Sequence, residues 1–346
     1  MTEEDRYEYA MNQSMQSLAS DSFNKWGDPI ENRKRLVPYG YDLIDKAVYG
    51  IDLLRGEFDV LQGEEKGRKS TTLYNIVRSI MQRQQLEKKP VVVIDSLESS
   101  SSPEIVKDNF ICQVAAQYIM HQGHTSDNGI CSKCGGKRCQ ELTLSVRSLP
   151  FTSKTPLQHR ALQFAIDHVS TWSVYVFGAG MQEGQTRNLE GTTRRWKWLK
   201  ENFGATLFAS DHVQQYNIAN QRSGLSDYEK QQIVVPHLST FVAEEKVVVL
   251  ALSQLSLGTR RDSDGRQYAI GGAKMAAEAN TVIQSRYDED MPSILGVQVV
   301  ESRYSGKLTA YGFIDPASGL TYGDMSYDIP RIGEKTIPDN DEEFPY

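Results

Sequence analysis

Apolar positions along this chain alternate between two patterns. Short apolar runs at Phe58 to Leu61, Val91 to Asp95, Trp172 to Phe177, Ala205 to Ala209 and Val247 to Ser253 read as strands, the β-branched run from Val91 as one buried in a parallel sheet. Between them, helical spacing takes over. Leu73, Ile76, Val77 and Ile80 recur at three- and four-residue intervals, and helices are also predicted over about Pro103 to His121, Arg194 to Asn202 and Tyr228 to Glu245. Leu43, Ile44, Ala47 and Val48 suggest a short helix before the first strand. Ile294 to Val300 and Leu308 to Ile314 read as a β-hairpin turning at Tyr304 to Lys307. Strands that alternate with helices predict an α/β fold, with a mostly parallel sheet covered by helices on both faces.

The first strand runs into Gly63 to Thr72, GEEKGRKSTT. A phosphate-binding loop needs a glycine to leave the strand, backbone N–H groups free to face oxygen anions, then a Lys and a hydroxyl residue opening a helix. Gly63, Gly67, Arg68, Lys69, Ser70 and Thr71 fill these positions, with Lys69 directed at the β and γ phosphates of ATP and Ser70 at Mg²⁺. The usual glycine before the Lys is Arg68, and Gly67 stands one place early. Arg68 must therefore take up a glycine-like conformation or point its charge at the nucleotide.

Polar residues recur just beyond the other apolar strands: Glu98, Asp211 and Gln254. In open parallel sheets that is where ligands gather. Asp211 is placed to bind Mg²⁺ and Glu98 to orient the attacking water. Asp95 competes for either role, although alternation sends it to the face opposite Ser96.

The 346 residues, 39% hydrophobic and 24% charged with a net charge of −7, suit a water-soluble protein that meets nucleic acid only through local basic patches. No apolar run is long enough to span a membrane, and the acidic start MTEEDRYEYA does not read as a signal peptide, so a cytosolic setting is expected. An insert over 121–140 carries CSKCGGKRC. Cys131, Cys134 and Cys139 have zinc-knuckle spacing, and His124, or else His121, supplies a fourth ligand for structural Zn²⁺. Cys112 is expected in the core. Trp196 and Trp198 among Arg194, Arg195, Lys197 and Lys200 form a basic aromatic helix that reads as a packing element with a solvated face.

These motifs resemble RecA-type ATPases, and most of all the motor domain of DnaB-type replicative helicases. VVVIDSLESS (91–100) is similar to the family strand that carries the catalytic Glu, and VVVLALSQL (247–255) to the strand whose Gln senses the γ-phosphate. The resemblance implies an ATP- and Mg²⁺-dependent DNA helicase that forms a ring, most simply a hexamer, around single-stranded DNA. It makes Lys69, Glu98 and Gln254 catalytic, with Arg303 acting on a neighbouring subunit's nucleotide. Two loops would face DNA, one through Arg222 and the other through Arg260, Arg261 and Arg266. The sequence departs from the family where Ser210, Asp211, His212 replace Ile-Asp-Tyr and where Glu301 replaces a Lys. The short form resembles phage versions of the motor. Residues 1–35 read as an N-terminal arm, 36–330 as the ATPase core, and 331–346 as an acidic tail that could dock replication partners. IDPASGL is similar to phage RecA-type recombinases, which keeps filament formation and strand exchange as an alternative. Arg68 and Glu301 keep open a low-turnover nucleotide-binding scaffold.

Overall fold

Strands buried on both faces require cover on both sides, and the chain supplies it. The computed structural model describes residues 36–53, 55–64, 66–82, 90–97, 102–124, 131, 133–135, 139–178, 187–218, 225–255, 275, 277–287, 294–304 and 308–325. The arm over 1–35, the tail over 331–346, Glu98, Arg222, Arg260, Arg261 and Arg266 lie outside them.

In order, the elements are β1 (Leu36–Val37), α1 (Asp42–Val48), β2 (Ile51–Asp52), β3 (Glu57–Gly63), α2 (Lys69–Gln82), β4 (Val91–Ser96), α3 (Pro103–His121), α4 (Pro156–Val169), β5 (Val174–Gly178), α5 (Leu189–Phe203), β6 (Ala205–Asp211), α6 (Asp227–Glu245), β7 (Val248–Gln254), β8 (Thr281–Tyr287), β9 (Ile294–Ser302), β10 (Leu308–Ile314) and β11 (Thr321–Met325). Among the described residues β1 and β2 pair by themselves, and the rest form a nine-stranded sheet in the order β11-β10-β9-β8-β3-β7-β6-β4-β5. From β8 to β5 the strands run parallel. β9, β10 and β11 then continue antiparallel.

Alternation along each strand divides the core into two layers. Leu61, Val92, Ile94, Leu207, Ala209, Leu250 and Leu252 face α2, α3 and α4. Phe58, Val60, Val91, Val93, Phe208, Val249 and Ala251 face α5 and α6. Helix starts follow local chemistry. The Ser102 side chain accepts from the Ile105 N–H with Pro103 in the first turn. Reciprocal capping boxes open α4 at Thr155 and Gln158 and α6 at Ser226 and Glu229. α5 stops at Gly204, whose φ of 69° suits glycine.

Two differences from the sequence reading stand out. α4 has no counterpart in it, because only Ala161 and Ala165 of its apolar positions are fully buried, leaving a weak helical stripe. Asp95 is corrected from competitor for the phosphate site to core residue. It lies on the α5 side, where Arg195 Nη2 and Trp196 Nε1 both bond its carboxylate. Burial raises its pKa to about 6 against the opposing pull of Arg195. Trp196 is fully buried against Phe208 and Phe241, and Lys197 and Lys200 bridge to Glu245 of α6. The basic aromatic helix is thus a packing element.

Candidate nucleotide-binding site

β3 ends at Gly63, and only glycine fits there: a Cβ would lie 2.6 Å from Ser285 Oγ and 2.9 Å from Lys69 Cγ. The loop that follows is closed by Gly67 N–H donating to the Glu64 carbonyl at 3.0 Å. α2 then begins at Lys69, so its N-terminal N–H groups point into the loop. Arg68 takes the left-handed conformation, φ 61°, which answers the question its sequence position poses. Its guanidinium does not enter the loop. It lies over the Tyr287 ring at 4.7 Å and donates to the Tyr287 hydroxyl at 3.3 Å.

Lys69 is buried, and its ammonium donates to the carbonyls of Gly63 at 3.2 Å and Glu64 at 2.7 Å. These bonds hold the cation inside the loop. Ser70 Oγ donates to Asp211 Oδ2 at 2.7 Å, across 141 residues of sequence. Asp211 is the last residue of β6, and its other oxygen lies 3.2 Å from His212 Nε2. A hydroxyl and a carboxylate in contact at the strand ends, beside a lysine-bearing loop, form the donor set that suits a hard, oxygen-seeking Mg²⁺.

Gln254 ends β7 in register with Gly63, and Leu255 N–H donates to the Gly63 carbonyl. The sensor candidate is therefore fixed directly to the root of the loop. Gln214, in the turn after β6, joins it to that strand's end, donating to Ser253 Oγ at 2.7 Å and to the Gln254 carbonyl at 3.3 Å. The turn Asp315 to Leu320, part of IDPASGL, docks on α2. Asn75 donates to the Gly319 carbonyl and accepts from the Thr321 N–H.

Arg303 is elsewhere. It follows β9, whose Ser302 pairs with Thr281 at the start of β8, and Thr281 in turn pairs with Asp59 near the start of β3. The guanidinium donates to the carbonyls of Ala277 and Glu278. It thus lies at the opposite end of the sheet from Gly63 of its own chain.

The cysteine insert does come together. Ligand atoms of His124, Cys131, Cys134 and Cys139 all lie within 4.8 Å of one another. His124 Nδ1 is 3.7 Å from Cys131 Sγ and 3.4 Å from Cys139 Sγ. A tetrahedral zinc with Zn–S near 2.3 Å spaces its ligand atoms about 3.5 to 3.8 Å apart, so the set fits that ion. His124 is buried while His121 is exposed at the end of α3, which selects His124. Burial opposes ionisation of Cys131, but N–H groups of Cys134 and Lys133 and the neighbouring thiols outweigh it and lower the pKa to about 6. Cys112, buried in α3 and apart from the cluster, has its thiol pushed up to about 12 by burial and by Asp108 and Asp315.

Tyr287, Asn75 and Gln214 were missed by sequence reasoning. None belongs to a short motif, and each becomes meaningful only when distant strands are paired.

No family model and no curated protein matches this chain. Solved structures do. The ATPase domain of G40P superposes over 89% of this chain and 98% of its own, at 17% identity and a TM-score of 0.65. A DnaB-like replicative helicase, solved with attention to its interactions with primase, superposes over 82% of this chain at 18% identity and a TM-score of 0.60, and the chain spans 61% of that helicase. The chain thus shares its fold with the ATPase domain of G40P and with part of that DnaB-like helicase.

Proposed function

We propose that this protein is an ATP-dependent DNA helicase motor that assembles as a ring and translocates on single-stranded DNA. The observation that carries the reading is the contact between Ser70 and Asp211 at 2.7 Å, set beside the Lys69 loop. Lys69 binds the β and γ phosphates, Ser70 and Asp211 hold Mg²⁺, and Gln254 senses the γ-phosphate. When bound, Mg²⁺ neutralises charge on those phosphates. Glu98, two residues beyond the end of β4, orients the attacking water. Arg303 reaches the nucleotide of an adjacent copy, since its own loop is at the far end of the sheet. Arg222, Arg260, Arg261 and Arg266 contact DNA phosphates, and the acidic tail offers a dock for replication partners. His124, Cys131, Cys134 and Cys139 bind one structural Zn²⁺. The likeness to helicase motor domains supports the fold beneath this reading.

The turn Asp315 to Leu320 on α2 favours a second reading, a recombinase that forms filaments and exchanges strands. Electron microscopy of the full chain with a non-hydrolysable ATP analogue and single-stranded DNA separates the two. Closed rings, with forked-duplex unwinding that Lys69→Ala abolishes, support the helicase. Helical filaments refute it in favour of strand exchange, and a lack of multiple-turnover hydrolysis favours a nucleotide-binding scaffold.

A further inference from the structure

Ser96 ends β4 in register with Asp211 of β6. Val92 and Ile94 belong to the layer beneath α2 and α3, whereas Asp95 faces α5. By alternation Ser96 therefore shares the face on which Asp211 meets Ser70. Ser96 is 1% exposed, and among the described residues its hydroxyl has no hydrogen-bond partner. A buried hydroxyl left without a partner is costly, and such a group calls for a water, an ion or a ligand to complete it.

The sheet order places β6 and β7 between β4 and the phosphate-loop strand β3, so Ser96 lies beyond Asp211 as seen from the loop. Neighbouring strands are separated by about 4.8 Å. One water making two hydrogen bonds of about 2.8 Å spans that gap. Mg²⁺ keeps several of its waters when a protein holds it through one or two side chains. We propose that Ser96 is a positioning residue of the nucleotide site, its Oγ holding a water of the Mg²⁺ bound by Ser70 and Asp211. This rests on the ATP and Mg²⁺ reading above.

The test is a titration of a fluorescent ATP analogue into the full chain, in EDTA and across a Mg²⁺ series, for wild type, Ser96→Ala and Ser96→Cys, which keeps the side-chain shape but replaces the hydroxyl with a weakly hydrogen-bonding thiol. Apo melting temperatures are measured alongside. For Ser96→Ala, affinity in EDTA should match wild type and the Mg²⁺ half-saturation concentration should rise about fivefold, the loss of one hydrogen bond. The apo melting temperature should hold or rise, because an unpartnered hydroxyl has been removed. Ser96→Cys should show the same Mg²⁺ shift, and decides the matter if Ser96→Ala fails to fold. An unchanged Mg²⁺ dependence in both variants overturns the assignment while leaving the nucleotide site intact. A wild-type chain whose nucleotide affinity ignores Mg²⁺ overturns the site reading and this assignment together.

Discussion

Arg68 holds a position where phosphate loops usually carry glycine, and the structure gives that substitution a measurable cost. Its φ of 61° disfavours any side chain by about 1 to 2 kcal/mol. Stacking on Tyr287 at 4.7 Å returns about 0.5 to 1 kcal/mol at a half-exposed site. Arg68→Ala keeps the strain and loses the stacking, so it should destabilise the fold. Arg68→Gly loses the stacking too and adds about 0.5 to 1 kcal/mol of unfolded-state freedom, but it relieves the strain, so it should be close to neutral. Glycine should therefore exceed alanine in stability by about 0.5 to 1 kcal/mol. Urea unfolding of both variants measures the gap directly, provided that the transition is two-state and the slopes agree. If Arg68→Ala proves as stable as Arg68→Gly, the left-handed conformation is not what Arg68 endures, and the reasoning fails.

Three further outcomes follow from other parts of the molecule. Asp59 is buried under Tyr39, and burial, with Glu57 adding to it, raises its pKa to about 8. Its stabilising contribution is complete below the ordinary carboxylate pKa and is lost as pH rises towards 8, so the advantage of Asp59→Asn over wild type in chemical denaturation should widen between about pH 5 and 8; a flat difference refutes this. Cys131→Ser should reduce bound zinc from about one equivalent per chain and lower the melting temperature, and metal analysis that finds little zinc in wild-type protein purified without chelators would refute the site. Lys69→Ala and Arg303→Ala chains, each inactive alone, should regain part of the ATPase rate when mixed, because some interfaces then combine an intact loop with an intact arginine; no recovery on subunit exchange counts against action between subunits.

Much of the fold was legible because burial on both faces writes itself as unbroken apolar runs. β3, β4, β6 and β7 were visible for that reason, and α3 matches its predicted limits of Pro103 and His121. β8 was not legible as a strand: TVIQSRY mixes apolar and polar residues because it sits where the parallel sheet meets its antiparallel extension. The candidate nucleotide site was legible as a spatial cluster at Gly63, Lys69, Ser70 and Asp211, since each takes its place from the strand before it. Local sequence could pose the problem of Arg68 but not solve it. The solution lies in Tyr287, 219 residues away, and only the β3-β8 pairing brings the two together. Asp95 is the converse case: alternation already sent it to the far face, and only Trp196 and Arg195 explain why a carboxylate can be buried there.

The two ends of the sheet divide the work unequally. At the carboxyl ends of the parallel strands, Ser70 bonds Asp211, Lys69 bonds the Gly63 and Glu64 carbonyls, and Gln254 pairs in register with Gly63. At the other end, among the described residues, Arg303 is anchored only to backbone carbonyls and stays exposed. A cation that stabilises transferring phosphate must come within hydrogen-bonding reach of it, and β3 alone, at about 3.3 Å per residue over its 7 residues, keeps Arg303 well beyond that reach in its own chain. On the proposed reading, one copy therefore binds nucleotide completely but lacks the arginine that hydrolysis needs. Turnover then depends on assembly, and the ATPase rate per chain should rise with protein concentration until the oligomer is saturated.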